Sequence, residues 1–208
     1  KESVGLEDAD LIRALESAHN LDARVLVHAE HGDMVEHLRQ RLAAEGSLGP
    51  EAHPLSRPPQ VEGEATSRMS FLAGLTGASA YIVHVTCRQA VEALRQAQES
   101  GQEIYGETCP QYLLLDETVY ESPDFEAASY VIAPPIRAAE HQEALWQALR
   151  TGTLQVVGTD HCPFNLEGQK ELGRNDFRQI PGGAAGVEHR LALLYSYGVE
   201  QGRLELPH

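Results

Sequence analysis

The sequence predicts an α/β fold with parallel strands, on three observations. Four short apolar runs alternate with amphipathic helical segments along the chain. The runs are apolar nearly throughout, as expected of strands with helices over both faces of their sheet. Each run ends at, or runs directly into, a group able to bind a metal or move a proton: His28, His84, Glu107 and Asp160.

The elements follow in order. "DADLIRALESAHN" (8–20) places Leu11, Ile12 and Leu15 at helical spacing, with acids early. "RVLVH" (24–28) is a short β-branched run, read as a buried strand. "DMVEHLRQRLAAEG" (33–46) sets Val35, Leu38 and Leu42 on one face and stops at Gly46. The prolines of "PEAHPLSRPP" (50–59) predict a loop, too short to link two domains. "EGEATSRMSFLAGLTG" (62–77) is a helix, "AYIVHV" (80–85) a strand, and "RQAVEALRQAQESG" (88–101) a helix. "EIYGE" (103–107) is the third strand, followed by an irregular stretch to about Arg137. "EHQEALWQALRTG" (140–152) is a helix and "LQVVGT" (154–159) the fourth strand. A Gly-rich loop covers 162–186, and a last helix covers 187–202. No repeat or domain boundary interrupts this order.

A doubly wound sheet would carry a GxGxxG or P-loop after its first strand, and neither is present. Chemistry at the C-terminal ends of successive strands is the habit of a (β/α)₈ barrel. Four strands make about half of one.

The totals narrow the function. Sixteen basic against 31 acidic residues give a net charge of −15. Such a surface repels phosphate backbones and anionic lipid, which argues against nucleic acid and membrane partners. The opening "KESVGLEDAD" has no signal-like pattern and no initiator Met, so an internal fragment or a processed product is expected. Cys87, Cys109 and Cys162 are odd in number and widely spaced, which fits a reducing cytoplasm rather than a disulfide framework.

Imidazoles from different strands, joined by a carboxylate, suit zinc or a similar divalent ion. Such an ion lowers the pKa of bound water toward about 7, and a nearby Asp can take that water's proton. Plainer readings stand beside this one. A His after an apolar run is often a hydrogen-bonded core or rim residue. Asp160 could cap a helix. His161 could be loop, Glu107 structural, and the three cysteines small buried hydrophobes. A Cys162–His161 nucleophilic pair is disfavoured, because adjacent side chains in extended chain point apart.

Several motifs go further. "HAEHGD" (28–33), "RPPQVEGEA" (57–65), "VHVTC" (83–87), "GETCPQYL" (106–113), "APPIR" (133–137), "GTDHCPFN" (158–165), "GQKELGRNDF" (168–177) and "IPGG" (180–183) resemble, in order, the dihydropyrimidinase/hydantoinase group of cyclic amidohydrolases. The resemblance implies a (β/α)₈ barrel with a two-zinc site, of which this chain would supply about strands 5 to 8 as one partial barrel domain over 1–208. It implies hydrolysis of 5,6-dihydropyrimidines or 5-substituted hydantoins to N-carbamoyl amino acids. His28 and His84 would bind one metal; Asp160 would bind the other and act as general base for a bridging hydroxide. Manganese or cobalt could replace zinc. Ala133 and Gly182 match positions whose backbone holds the cyclic amide, where the family usually has Ser and Asn. "HAEH" replaces the commoner "HAEN" and brings His31 near the site.

The chain also departs from the family pattern. It has no H-x-H pair, and Lys1 aligns beyond the family's carboxylated lysine rather than with it. With two protein ligands to one metal, the chain alone is expected to be inactive, and its sheet edges are expected to favour association. The family also implies a homotetramer. Competing readings are an allantoinase or dihydroorotase, and a non-catalytic scaffold related to the dihydropyrimidinases. "GETCPQYL" and "GQKELGR" favour the hydantoinase group over the first. Retention of His28, His84 and Asp160 speaks against the second.

Overall fold

The computed structural model describes residues 5–206; Lys1 lies outside them. The fold is α/β with a parallel sheet. Its strands are β1 (Arg24–Val27), β2 (Ser79–Ile82), β3 (Ile104–Thr108) and β4 (Val156–Val157), in spatial order β1-β2-β3-β4 with every pairing parallel. That sequential order lacks the reversal of a doubly wound sheet. The helices are α1 (Asp8–Asn20), α2 (Gly32–Ala44), α3 (Ala52–Leu55), α4 (Pro59–Thr76), α5 (Arg88–Glu99), α6 (Pro110–Leu114), α7 (Glu140–Thr151) and α8 (Arg190–Leu193), the last running on as a π-helical turn over Leu194–Val199.

The register divides each strand between two faces. Ala80, Ile82 and Ile104 point to the helices and are fully or almost fully buried, packed with Leu94 of α5 and Met69 and Leu72 of α4. α4 and α5 approach closely because residue 63 is glycine; a Cβ there would lie 2.5 Å from the Gln89 Cβ. The opposite face carries Leu26, Tyr81 and Tyr105 in one row across three strands. Leu26 is 67% exposed and Val156 39% exposed. Helices therefore cover one face rather than the two expected. The second face is left open among the described residues.

Other expectations shift in detail. α3 forms inside the Pro-rich segment, and α4 starts at Pro59 rather than Glu62. Proline is well placed in a first helical turn, where its missing N–H has no intrahelical partner anyway. The irregular stretch before Arg137 holds α6 and two 3-10 turns, Glu117–Glu121 and Glu126–Tyr130. β2 ends at Ile82, short of the predicted 85, because His84 adopts φ +42° and breaks the extended chain. Among the described residues no helix is long and apolar enough to cross a membrane.

Candidate active site

β1 and β2 are adjacent and in register, Val27 opposite Ile82. The residues just past them, His28 and His84, therefore meet. His28 Nδ1 lies 3.0 Å from His84 Nε2, and the rings stand edge to face with centroids 4.7 Å apart. The other nitrogen of His28, Nε2, bonds Glu30 Oε2 at 2.8 Å. Arg57 pairs with the same oxygen. Burial pushes the Glu30 carboxyl up, but the His28 hydrogen bond and the Arg57 charge hold it below its ordinary range. An ionised Glu30 fixes Nε2 of His28 as the protonated nitrogen and leaves the Nδ1 lone pair facing His84. A carboxylate behind an imidazole sets ring orientation and ligand basicity in metal sites. Burial, and then any charge on His28, lower the pKa of His84, which favours a neutral imidazole whose Nε2–H donates to His28 Nδ1. The buried Nδ1 of His84 has no hydrogen-bond partner.

The chain just beyond His84 is anchored at Thr86. Glu62 of α4 accepts from the Thr86 backbone N–H at 2.7 Å and pairs with Arg137 at 2.8 Å. Arg137 also donates to Thr86 Oγ1 at 2.9 Å and to the Arg57 carbonyl. This buried set ties the chain beyond β2 to the 133–137 segment.

Asp160 is exposed, three residues beyond β4, with φ +47°. His84 and Asp160 are two of five described non-glycine residues with positive φ, a conformation that costs energy and gathers at functional sites. His28 and His84 are brought together, but no three His, Cys, Asp or Glu side chains gather closely enough to hold a metal among the described residues. The donor set nonetheless suits a divalent ion of the zinc class: two imidazole nitrogens aimed at one region from rigid strand ends, one of them ordered by a carboxylate.

Ala133 and Gly182 lie on separate segments. Around Ala133 the carbonyls are occupied. Tyr120 donates to the Tyr130 carbonyl at 3.2 Å, His53 to Ile132 at 2.6 Å, and Tyr112 to Pro134 at 2.9 Å. Lys170 and the Gly183 N–H both donate to Val131. The backbone N–H and C=O of Ala133 and Gly182 make no hydrogen bond among the described residues. Nothing would meet a Cβ at Gly182.

The remaining candidates have structural places. His31 caps α2, its Nδ1 accepting from Met34 N–H at 3.4 Å, and lies 4.0 Å from Glu64. The His161 Nδ1 accepts from the backbone of Gly186 at 3.0 Å and Val187 at 3.3 Å, pinning the end of the Gly-rich loop. Glu107 takes a hydrogen bond from Tyr81 Oη at 2.7 Å and packs against Gly158. Cys87 and Cys109 are buried, whereas Cys162 is exposed rather than a buried hydrophobe. Glu30, His53 and Lys170 escaped the reading of the sequence. Only Glu30 left a local signal, a carboxylate two residues after a strand-end His and so on the same face.

No family model matches the chain. Individual relatives match closely. The chain is 48% identical over 206 residues to the D-hydantoinase of Geobacillus stearothermophilus, covering 99% of itself and 44% of that protein. It is 45% identical over 205 residues to the dihydropyrimidinase of Arabidopsis thaliana, covering 98% of itself and 38% of that protein. It superposes on the crystal structure of dihydropyrimidinase from Brevibacillus agri with TM-score 0.98 and 49% identity, covering 99% of itself and 45% of that chain. The chain thus spans less than half the length of the relatives it matches, and over that span it belongs to the D-hydantoinase/dihydropyrimidinase family.

Proposed function

We propose that this chain is one partial barrel domain, about strands 5 to 8 of a (β/α)₈ barrel, from a metal-dependent hydrolase of cyclic amides. The substrates are 5,6-dihydropyrimidines or 5-substituted hydantoins, opened to N-carbamoyl amino acids. One observation carries the reading: His28 Nδ1 and His84 Nε2 face each other at 3.0 Å from adjacent parallel strand ends.

In this reading His28 and His84 hold one divalent ion, zinc or, by availability, manganese or cobalt. Asp160 ligates a second. Metal at this site supplies Lewis-acid activation of the amide carbonyl and of water. Asp160 moves the proton, from the attacking water to the departing amide nitrogen. The backbone groups of Ala133 and Gly182 meet the donor–acceptor edge of the cyclic amide. Their freedom from other hydrogen bonds supports that role. Replacing the family's Ser and Asn removes side chains but leaves these backbone groups in place.

The remaining ligands come from outside this chain, so the chain alone is inactive. The open sheet face, with Leu26 and Val156 exposed, supports burial against the other half of the barrel or a second copy. A homo-oligomer in a reducing cytoplasm, with neither nucleic acid nor membrane as partner, is the setting proposed.

Elemental analysis of bound metal per chain, with His84→Ala as control, tests the site. Two metals per chain, lost in the variant, mean that another polypeptide completes it. About none means a partial site. Turnover of dihydrouracil by the pure monomer would overturn the claim of inactivity. Comparing dihydrouracil, allantoin and dihydroorotate on the completed enzyme separates the sister activities.

A further inference from the structure

Lys170 lies in the "GQKELGR" motif and has no assigned task. It is 1% exposed, yet no carboxylate pairs with it among the described residues. Its ammonium donates to the Val131 carbonyl at 2.8 Å and to the Gly183 carbonyl at 2.8 Å, and sits 5.8 Å from the centre of the Phe164 ring. Gly183 N–H closes the same junction, donating to Val131 O at 3.0 Å. The fit is tight: Gly183 has φ +154°, and a Cβ on it would lie 2.2 Å from the Cys162 carbonyl.

A buried ammonium without a counter-ion is costly. Two carbonyls offset part of that cost, whereas an apolar side chain of similar volume would avoid it. The position of the bonds suggests what the charge achieves. Val131 is two residues before Ala133, and Gly183 follows Gly182. The lysine joins the two segments that carry the unbonded backbone groups of Ala133 and Gly182.

We propose that Lys170 is a positioning residue that sets the separation of the Val131–Ala133 and Gly182–Gly183 segments, and so the width of the cyclic-amide subsite. The subsite itself rests on the hydantoinase reading above; the clamp does not. Burial pushes the Lys170 ammonium down to about 8, which agrees with a lysine held by dipoles rather than by a carboxylate.

The test uses Lys170→Met, which keeps the length but cannot donate, and Lys170→Arg, which can. Hydrogen exchange by mass spectrometry is measured on this chain. Hydrolysis of dihydrouracil is measured on the enzyme completed with its remaining barrel and loaded with zinc. Lys170→Met is expected to speed exchange at the bonded amides of Val131 and Gly183 about tenfold or more while α1, α4 and α5 keep their protection. In the completed enzyme, KM rises about tenfold with kcat changed less than threefold, and Lys170→Arg recovers most of both. Unchanged exchange at the two segments overturns the proposal. So does an equal loss of protection everywhere, or a fall in kcat at constant KM. If Lys170→Met does not fold, Lys170→Gln, with one donor group, is read by the same criteria. A completed enzyme that is inactive with Lys170 intact overturns the hydantoinase reading instead, and exchange still decides the clamp.

Discussion

His28 and His84, 56 residues apart in sequence, place Nδ1 and Nε2 3.0 Å from each other. The His28 ring is not free to turn, because Glu30 holds its far nitrogen. A metal between them inherits an orientation already set. Glu30→Gln replaces a strong acceptor with a weaker one, and zinc affinity is expected to fall by about 10–100-fold. Chelator competition on the completed site measures it. Equal affinity in the variant would show that Glu30 does not order the ligand.

The Glu62–Arg137 pair is 2.8 Å long with both side chains almost wholly buried. Removing one member strands the other's charge, at about 3–5 kcal/mol. Glu62→Ala is therefore expected to lower the urea midpoint sharply, followed by the fluorescence of the single tryptophan, Trp146, which is buried. Arg95→Ala breaks exposed pairs with Glu92 and Glu99 and should barely move the midpoint. Similar shifts in the two variants would refute the distinction.

Burial, and then the Arg57 charge, push His53 down to about 3 from an ordinary value of 6.5. The folded state thus binds this proton more weakly than the unfolded state. The stability associated with neutral His53 is complete above about pH 6.5 and is lost as pH falls toward 3, by up to about 1.4 kcal/mol per pH unit. His53→Gln keeps an N–H for the Ile132 carbonyl and does not titrate. Urea unfolding between pH 6.5 and 4 should show a shallower pH slope in the variant, by close to one proton. Equal slopes would mean that His53 does not contribute.

The open sheet face predicts association. Sedimentation velocity of this chain should show species heavier than 22.8 kDa that grow with concentration. Leu26→Gln, on the exposed row of β1, should shift them toward monomer. A monodisperse monomer at high concentration would show that the exposed row does not drive assembly.

Legibility followed the range of the interactions. The alternation of apolar runs and helical faces is local, so the parallel α/β fold could be read directly, as could the strand-end placement of His28 and His84. The family could also be read, because its motifs are contiguous. Helix boundaries near proline failed where a rule about helix interiors met a first turn, at Pro59. Apolarity of the strands was read as double coverage by helices, because a run of apolar residues records burial without saying what provides it.

Only the tertiary structure decided which atoms meet. His53 reaches Ile132 across 79 residues, and Lys170 reaches Val131 across 39. Neither residue looks special in its own neighbourhood, and each acquires its task when packing brings a distant carbonyl within 3 Å. The sequence by itself determined the elements, the family and the chemical types at the strand ends, since these depend on residue order. Which nitrogens face each other, the coverage of one sheet face and the clamp between two loops belong to the fold, because they depend on where the chain crosses itself.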